Sequence, residues 1–206
     1  MPNAGGQANT AGTDTISYIT TSALFDAGLL ADGATLWFSF MTSGTTGGSN
    51  HSGFGLGTTN VQSAYNGLNM TGGNGIGFYK RDGKAMGWNN GAKSTLSDSI
   101  GITTGAELLV GKVVWGAGAV SETITIYNPS TTGPITLPLT SVSTTVNGFD
   151  QTALNTISFS SRGDDQVWDE IRFGDSFESV VTAVPEPSST ALLGLGGLAL
   201  ILRRRK

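Results

Sequence analysis

Apolar and polar residues alternate in short runs along most of this chain, and between residues 15 and 181 no long helical period replaces them. A strand sends successive side chains to opposite faces, so alternation over a few residues marks a half-buried strand. Thr35 to Met41 puts Leu36, Phe38 and Phe40 on one face, and Phe54 and Leu56 alternate with Gly53, Gly55 and Gly57. Ile76 and Phe78 lead into Asp82-Gly83, a two-residue hairpin signal, and Ala85 to Trp88 returns as the partner strand. Leu108 to Trp115 is apolar on both faces, as a central strand must be. Thr123 to Tyr127 turns Ile124 and Ile126 inward and Thr123, Thr125 and Tyr127 outward, and Asn155 to Ser160 does the same with Ile157 and Phe159. Val167 to Phe173 supplies a last strand. Only Ala23 to Ala31 suits a helical turn or two. Many short strands without intervening helices predict a β-sandwich or barrel.

The order of these segments narrows the choice. Leu36-Trp37-Phe38-Ser39-Phe40, Gly53-Phe54-Gly55-Leu56, Leu109 to Trp115, Glu122 to Tyr127 and the closing Trp168-Asp169-Glu170-Ile171-Arg172-Phe173-Gly174 together resemble a concanavalin A/laminin G-like jelly roll. The resemblance spans roughly residues 15–181 and implies an all-β jelly-roll sandwich.

The C-terminus has a different character. Pro185-Glu186-Pro187 is followed by an uncharged apolar run, Ala191 to Leu202, and then by Arg203-Arg204-Arg205-Lys206. Counted from Ser188 the run is 15 residues, roughly 18–23 Å as a helix and short of the ~30 Å hydrocarbon core. A buried core helix could have this length. However, the run lacks a polar face, and four cations that can snorkel to headgroups follow at once. An apolar segment ending in cations keeps its C-terminus on the cytoplasmic side and leaves residues 1–183 outside. The two prolines hold the preceding segment extended. In composition, order and position the tail resembles the PEP-CTERM sorting signal of exported bacterial proteins. That resemblance implies recognition by an exosortase-type membrane protease-transpeptidase, a short transmembrane helix before processing, and cleavage near the Pro-Glu-Pro motif. A permanent single-span anchor is the competing reading.

The expected organisation is a flexible segment 1–14, a sandwich 15–183 and a sorting tail 184–206, with motif 185–187, apolar helix 188–202 and basic end 203–206. An exported protein needs a signal peptide, and Met1 to Gln7 has neither a basic nor an apolar region. The expectation is that the true signal lies upstream of this Met.

Charge excludes one class of partner. The chain carries −4, and without Glu186 and the four terminal cations residues 1–183 hold 7 Lys+Arg against 14 Asp+Glu, a net −7. Such a surface repels nucleic acid, and no basic patch offsets it. With no cysteine, disulfides, thiolate metal sites and cysteine nucleophiles are ruled out. The single histidine, His51, sits after a Gly- and Ser-rich stretch and reads as a loop residue. The run Thr71 to Gly77 is no phosphate loop, because it lacks the Lys-Ser/Thr and a following helix.

Two groups of residues could carry chemistry. Asp164, Asp165, Asp169 and Glu170 gather near the last strand, but strand parity sends Asp169 and Glu170 to opposite faces. A glycosidase needs two carboxyl groups facing one substrate. Parity places Val167, Asp169, Ile171 and Phe173 together, opposite Trp168, Glu170 and Arg172, and Glu170 with Arg172 then forms a same-face polar pair. Asp169 breaks an apolar face. A buried carboxylate must be hydrogen-bonded, paired or metal-bound, so Asp169 either caps loop amides or, as laminin G-like domains imply, helps hold calcium. No other cofactor is expected. Trp88-Asn89-Asn90 has the stacking ring and hydrogen-bonding amides of a glycan site, although most tryptophans belong to the core. The expectation is therefore an exported surface or envelope protein with a non-catalytic sandwich that is structural or binds a glycan or matrix polysaccharide. A polysaccharide-active enzyme of the same fold is the alternative.

Overall fold

The computed structural model describes residues 8–10, 15–43, 51–58, 75–81, 84–89, 99–101, 107–118, 121–130, 141–147, 150–162 and 166–181; at some strand positions, His51 and Trp88 among them, only the backbone is described. The described strands form two antiparallel six-stranded sheets. The first runs in the order β1 (Ala8–Thr10), β12 (Gln166–Gly174), β3 (Thr35–Ser43), β8 (Glu107–Val114), β9 (Ser121–Ser130), β10 (Ser141–Asn147). The second runs β2 (Thr15–Thr20), β11 (Thr156–Arg162), β4 (His51–Gly57), β5 (Gly75–Arg81), β6 (Lys84–Asn89), β7 (Ser99–Gly101). The chain switches sheet repeatedly, as a jelly roll does. Arg81 pairs with Lys84, so the register leaves two residues between β5 and β6, the spacing that the hairpin signal requires. Two short helices complete the body, α1 (Ser22–Asp26) and α2 (Phe177–Val181). β1 lies within the segment expected to be flexible.

The core is built by the predicted alternation. Leu36, Phe38 and Phe40 of β3, Leu109 and Val113 of β8, and Ile124 and Ile126 of β9 face Phe54, Leu56, Ile76, Ile157 and Phe159 of the second sheet. Aromatic rings join the layers: Phe54 lies 5.1 Å from Phe38, 5.6 Å from Phe40 and 5.5 Å from Phe159, centre to centre. One end of the sandwich is closed by α1 and the turn after it. There Leu24, Leu29 and Leu30 are buried, and the Trp115 indole N–H donates to the Leu29 carbonyl at 2.7 Å.

β12 departs from the expected parity. Trp168 and Phe173, placed on opposite faces by period two, both face the core; Trp168 lies 5.1 Å from Phe40, and Phe173 lies 5.9 Å from Phe54. The cause is a β-bulge. Glu170 and Ile171 together oppose the single residue Phe40, and Glu170 takes a left-handed φ of 51°. The extra residue re-phases the strand, so both aromatic side chains point inward.

The outer face of the first sheet is covered too. Trp37, Val110 and Tyr127 form a second apolar cluster under Phe177 and Val180 of α2. Trp37 stacks on Tyr127 at 5.5 Å, Phe177 meets it edge-on, and the Lys112 ammonium sits 5.3 Å from the Trp37 ring. The Ser39 hydroxyl donates to the Val180 carbonyl at 2.6 Å. Tyr127, expected outward, does lie on that face but is buried there. His51 opens β4 and pairs with Arg81 and Arg162, so it is a strand residue and not the expected loop residue. Among the described residues no helix is long and apolar enough to cross a membrane. The predicted tail helix 188–202, the motif Pro185-Glu186-Pro187 and the basic end Arg203 to Lys206 lie outside the described residues.

Candidate functional sites

The carboxylates of β12 are committed to structure. Asp169 lies on the face away from the core, across from Met41, and is half-buried. Its Oδ1 accepts the Glu170 backbone N–H at 2.8 Å, which holds the bulge. The Glu170 carboxylate pairs with the Arg172 guanidinium at 2.6 Å, as expected. The amide-capping reading of Asp169 is therefore the one its geometry satisfies, and its predicted place on an apolar, core-side face is corrected by the bulge. Among the described residues no group of three His, Cys, Asp or Glu is arranged to hold a metal.

A second feature lies on the outer face of the second sheet. Register aligns Ser158 with Gly55, Gly55 with Gly77, and Gly77 with Trp88, across β11, β4, β5 and β6. Thr156, Gly57 and Gly75 form the neighbouring row. All these positions share the face opposite Phe54, Leu56, Phe159 and Ile157. A strand glycine facing outward leaves no side chain, and such positions recur where a ligand or another backbone comes close. The result is a strip of glycine positions across the sheet, with position 88 at one end and hydroxyl residues at the other. Ser158 is fully buried and its Oγ has no hydrogen-bond partner. Gly55, Gly57 and Gly77 are buried as well, so this face of the second sheet is covered at these positions. Register thus puts Trp88 on the face away from the core. The side chains of Trp88 and Asn89, and all of Asn90, lie outside the described residues.

A third constellation was not anticipated from sequence. Glu122, on β9, shares the inward face of Ile124 and Ile126 and is fully buried, and apart from the pull of its own backbone N–H neither carboxylate oxygen meets a hydrogen-bond partner. Extending the Ile124/Ile126 alternation one step back would have found it. Burial pushes its carboxyl above the ordinary carboxylate range; its own amide N–H draws it part-way back, and the Asp150 charge raises it again. Asp150 shifts the opposite way, downward, because the Thr152 hydroxyl and amide both donate to its Oδ1, at 2.6 and 2.9 Å.

The sign of the Glu122 effect follows directly. A carboxyl whose folded pKa is raised binds more protons folded than unfolded, so stability falls as pH climbs from the unfolded value through the folded one. Glu122→Gln is expected to stabilise the fold by about 1–2 kcal/mol at pH 7–8, because no buried charge remains. At pH 4 that advantage should vanish. Urea unfolding of both proteins at the two pH values measures it; an equal difference at both would contradict the assignment.

No curated protein matches the chain. Among solved structures it is similar to a peanut lectin with a nine-residue peptide (11% identity, 81% of this chain and 82% of that one, TM-score 0.47). It is also similar to a GH43 glycoside hydrolase with an engineered active site (11%, 70% and 30%, 0.41). A third is the CBM2 module of the evolved Dit of Lactobacillus casei BL23 phage J-1 (10%, 83% and 70%, 0.35). The body's jelly-roll character stands on its own strand order. The tail matches more specifically: residues 183–206 fit the PEP-CTERM protein-sorting motif, so this jelly-roll chain ends in a sorting signal for export.

Proposed function

We propose that the chain is a bacterial surface or envelope protein, cut at its tail by an exosortase-type enzyme, whose sandwich binds a glycan or matrix polysaccharide without catalysis. One juxtaposition carries the reading. The last described element, α2, ends at Val181, and the sorting motif matches residues 183–206. The tail is then a disposable address and the sandwich is what is delivered. The membrane holds the protein through residues 188–202 until Pro185-Glu186-Pro187 is processed, with Arg203, Arg204, Arg205 and Lys206 at the cytoplasmic side.

The binding half rests on Trp88, whose strand register sets it on the outer face of the second sheet. A sugar ring stacks on an indole, and Asn89 and Asn90 follow it with hydrogen-bonding amides. The non-catalytic part is supported by Asp169 and Glu170, each engaged with a partner inside its own strand. Titration with soluble polysaccharides should quench tryptophan emission without releasing reducing ends. Trp88→Ala should weaken binding about tenfold or more while leaving the melting temperature within a few degrees. Mass spectrometry of mature protein should find a C-terminus near residues 185–187. An intact Lys206 on exported material would defeat the sorting half, and release of reducing ends would defeat the non-catalytic half.

A further inference from the structure

The last described strand leads into a helix that lies back on its own sheet. β12 ends at Gly174, Asp175 and Ser176 make the turn, and α2 follows. Phe177 and Val180 are three positions apart and share one helix face, which covers Trp37, Val110 and Tyr127 on the outside of the first sheet. Ser176 and Ser179 close the first turn reciprocally. Each hydroxyl accepts the other's backbone N–H at 3.3 Å, and Ser179 Oγ also donates to the Ser176 carbonyl at 2.7 Å. Gly174 lets the helix come this close: a Cβ there would strike the Ser179 hydroxyl and lie 2.9 Å from Ser179 Cβ and 3.4 Å from Val180 Cγ1. Phe177 and Val180 belong to the outer cluster and not to the core between the sheets. The helix can therefore leave while the sandwich stays closed.

Val181, the end of α2, is four residues from Pro185 and seven from Ser188, where the apolar run begins. Fully stretched, those links span at most ~14 Å and ~25 Å. With α2 seated, the two-layered sandwich is held that close to whatever anchors the run. An enzyme that holds its substrate extended, by main-chain bonds, needs several free residues around the cut. Here the residues just before the motif run into a packed helix. Release of α2 moves the fixed point back to Gly174, fourteen residues from Ser188, and the reach doubles to ~50 Å. We propose that α2 is a strap that regulates processing: seated, it withholds Pro185-Glu186-Pro187 from the cutting enzyme, and released, it supplies the slack that cutting needs. The inference rests on the reading that an exosortase-type enzyme cuts at this motif. Only the released fraction is cut, so the rate follows that fraction.

Pulse–chase of the full-length chain, in a host that carries an exosortase-type enzyme, reads the rate at which the tail is lost. Gly174→Ala, which lifts the helix, and Phe177→Ala, which removes one of its two anchors, should each raise that rate about fivefold or more. Seven Gly/Ser residues inserted between Thr182 and Ala183, ahead of the matched motif, lengthen the link with α2 in place and should raise it as much. Hydrogen exchange of the purified full-length variants in detergent separates the two routes. The Ser179–Val181 amides should exchange about fivefold faster in Gly174→Ala and at the wild-type rate in the insertion variant. The strap is overturned if wild type is cut and either the insertion variant or both helix variants are cut no faster. It is equally overturned if Gly174→Ala is cut faster without faster exchange. Wild-type protein found outside the cell with Lys206 intact would instead overturn the processing reading itself, and the strap with it.

Discussion

Trp168→Ala should cost the body about 3–5 kcal/mol, the scale for deleting a fully buried aromatic side chain. The ring has no solvent exposure and sits 5.1 Å from Phe40 and 5.4 Å from Phe159, one residue from each sheet, so its loss opens a cavity between the layers. Trp168→Phe provides the contrast. The indole Nε1 is buried with no acceptor, so phenylalanine removes an unpaired donor while retaining most of the packing. Its expected cost is about 1 kcal/mol. Urea denaturation of the two variants would measure the difference. A cost of about 2–3 kcal/mol for Trp168→Phe would mean that the indole nitrogen is bonded after all.

Gly111→Ala should be the most damaging single-carbon change in the first sheet, at about 3 kcal/mol. A Cβ there would be driven into the Phe38 ring and would lie 2.9 Å from the Thr125 carbonyl oxygen on the neighbouring strand. The ring could give way only by pushing on Phe54 and Phe40, and the carbonyl cannot move without breaking the β8–β9 ladder. A second substitution distinguishes the two obstacles. Phe38→Leu in the Gly111→Ala background should recover part of the loss, because a shorter side chain clears the first but not the second. Thermal unfolding of the double variant reads the recovery, and no recovery would place the whole conflict on the backbone.

Strand positions and inward residues were largely legible, because period two survives wherever a strand is regular. Leu36, Phe38, Phe40, Phe54, Leu56, Ile124, Ile126, Ile157 and Phe159 all face the core as the alternation requires. The rule failed at β12, where a bulge is carried by Glu170 in a left-handed conformation that sequence normally announces with glycine. A non-glycine bulge leaves no trace in the pattern, so Trp168 was put on the wrong face and Asp169 was given a burial problem it does not have. The buried outer face of β3 and β8 was visible as excess apolarity around Trp37 and Val110, but its cover, five residues of α2, is too short to register as a helix. The corner around Glu122 was hidden for another reason. Glu122 opens β9 while Asp150 lies in the β10–β11 connection, distant in sequence, and only the fold brings their charges within reach of each other. The sorting signal was legible in full, since a linear motif needs no fold to be read.

The way α2 sits on the sheet also governs how the protein answers force. A pull on the tail first reaches Val180 and Phe177, whose seat is a small apolar patch and one bond from Ser39. Behind them lies β12, which has β3 along one edge and β1 along part of the other, and tension along a strand inside a sheet strains many rungs of the ladder together. The helix would therefore detach early and cheaply, lengthening the tether by a few residues, while the sandwich behind it stays intact. A load on the C-terminus would thus meet the helix before it meets the sheet.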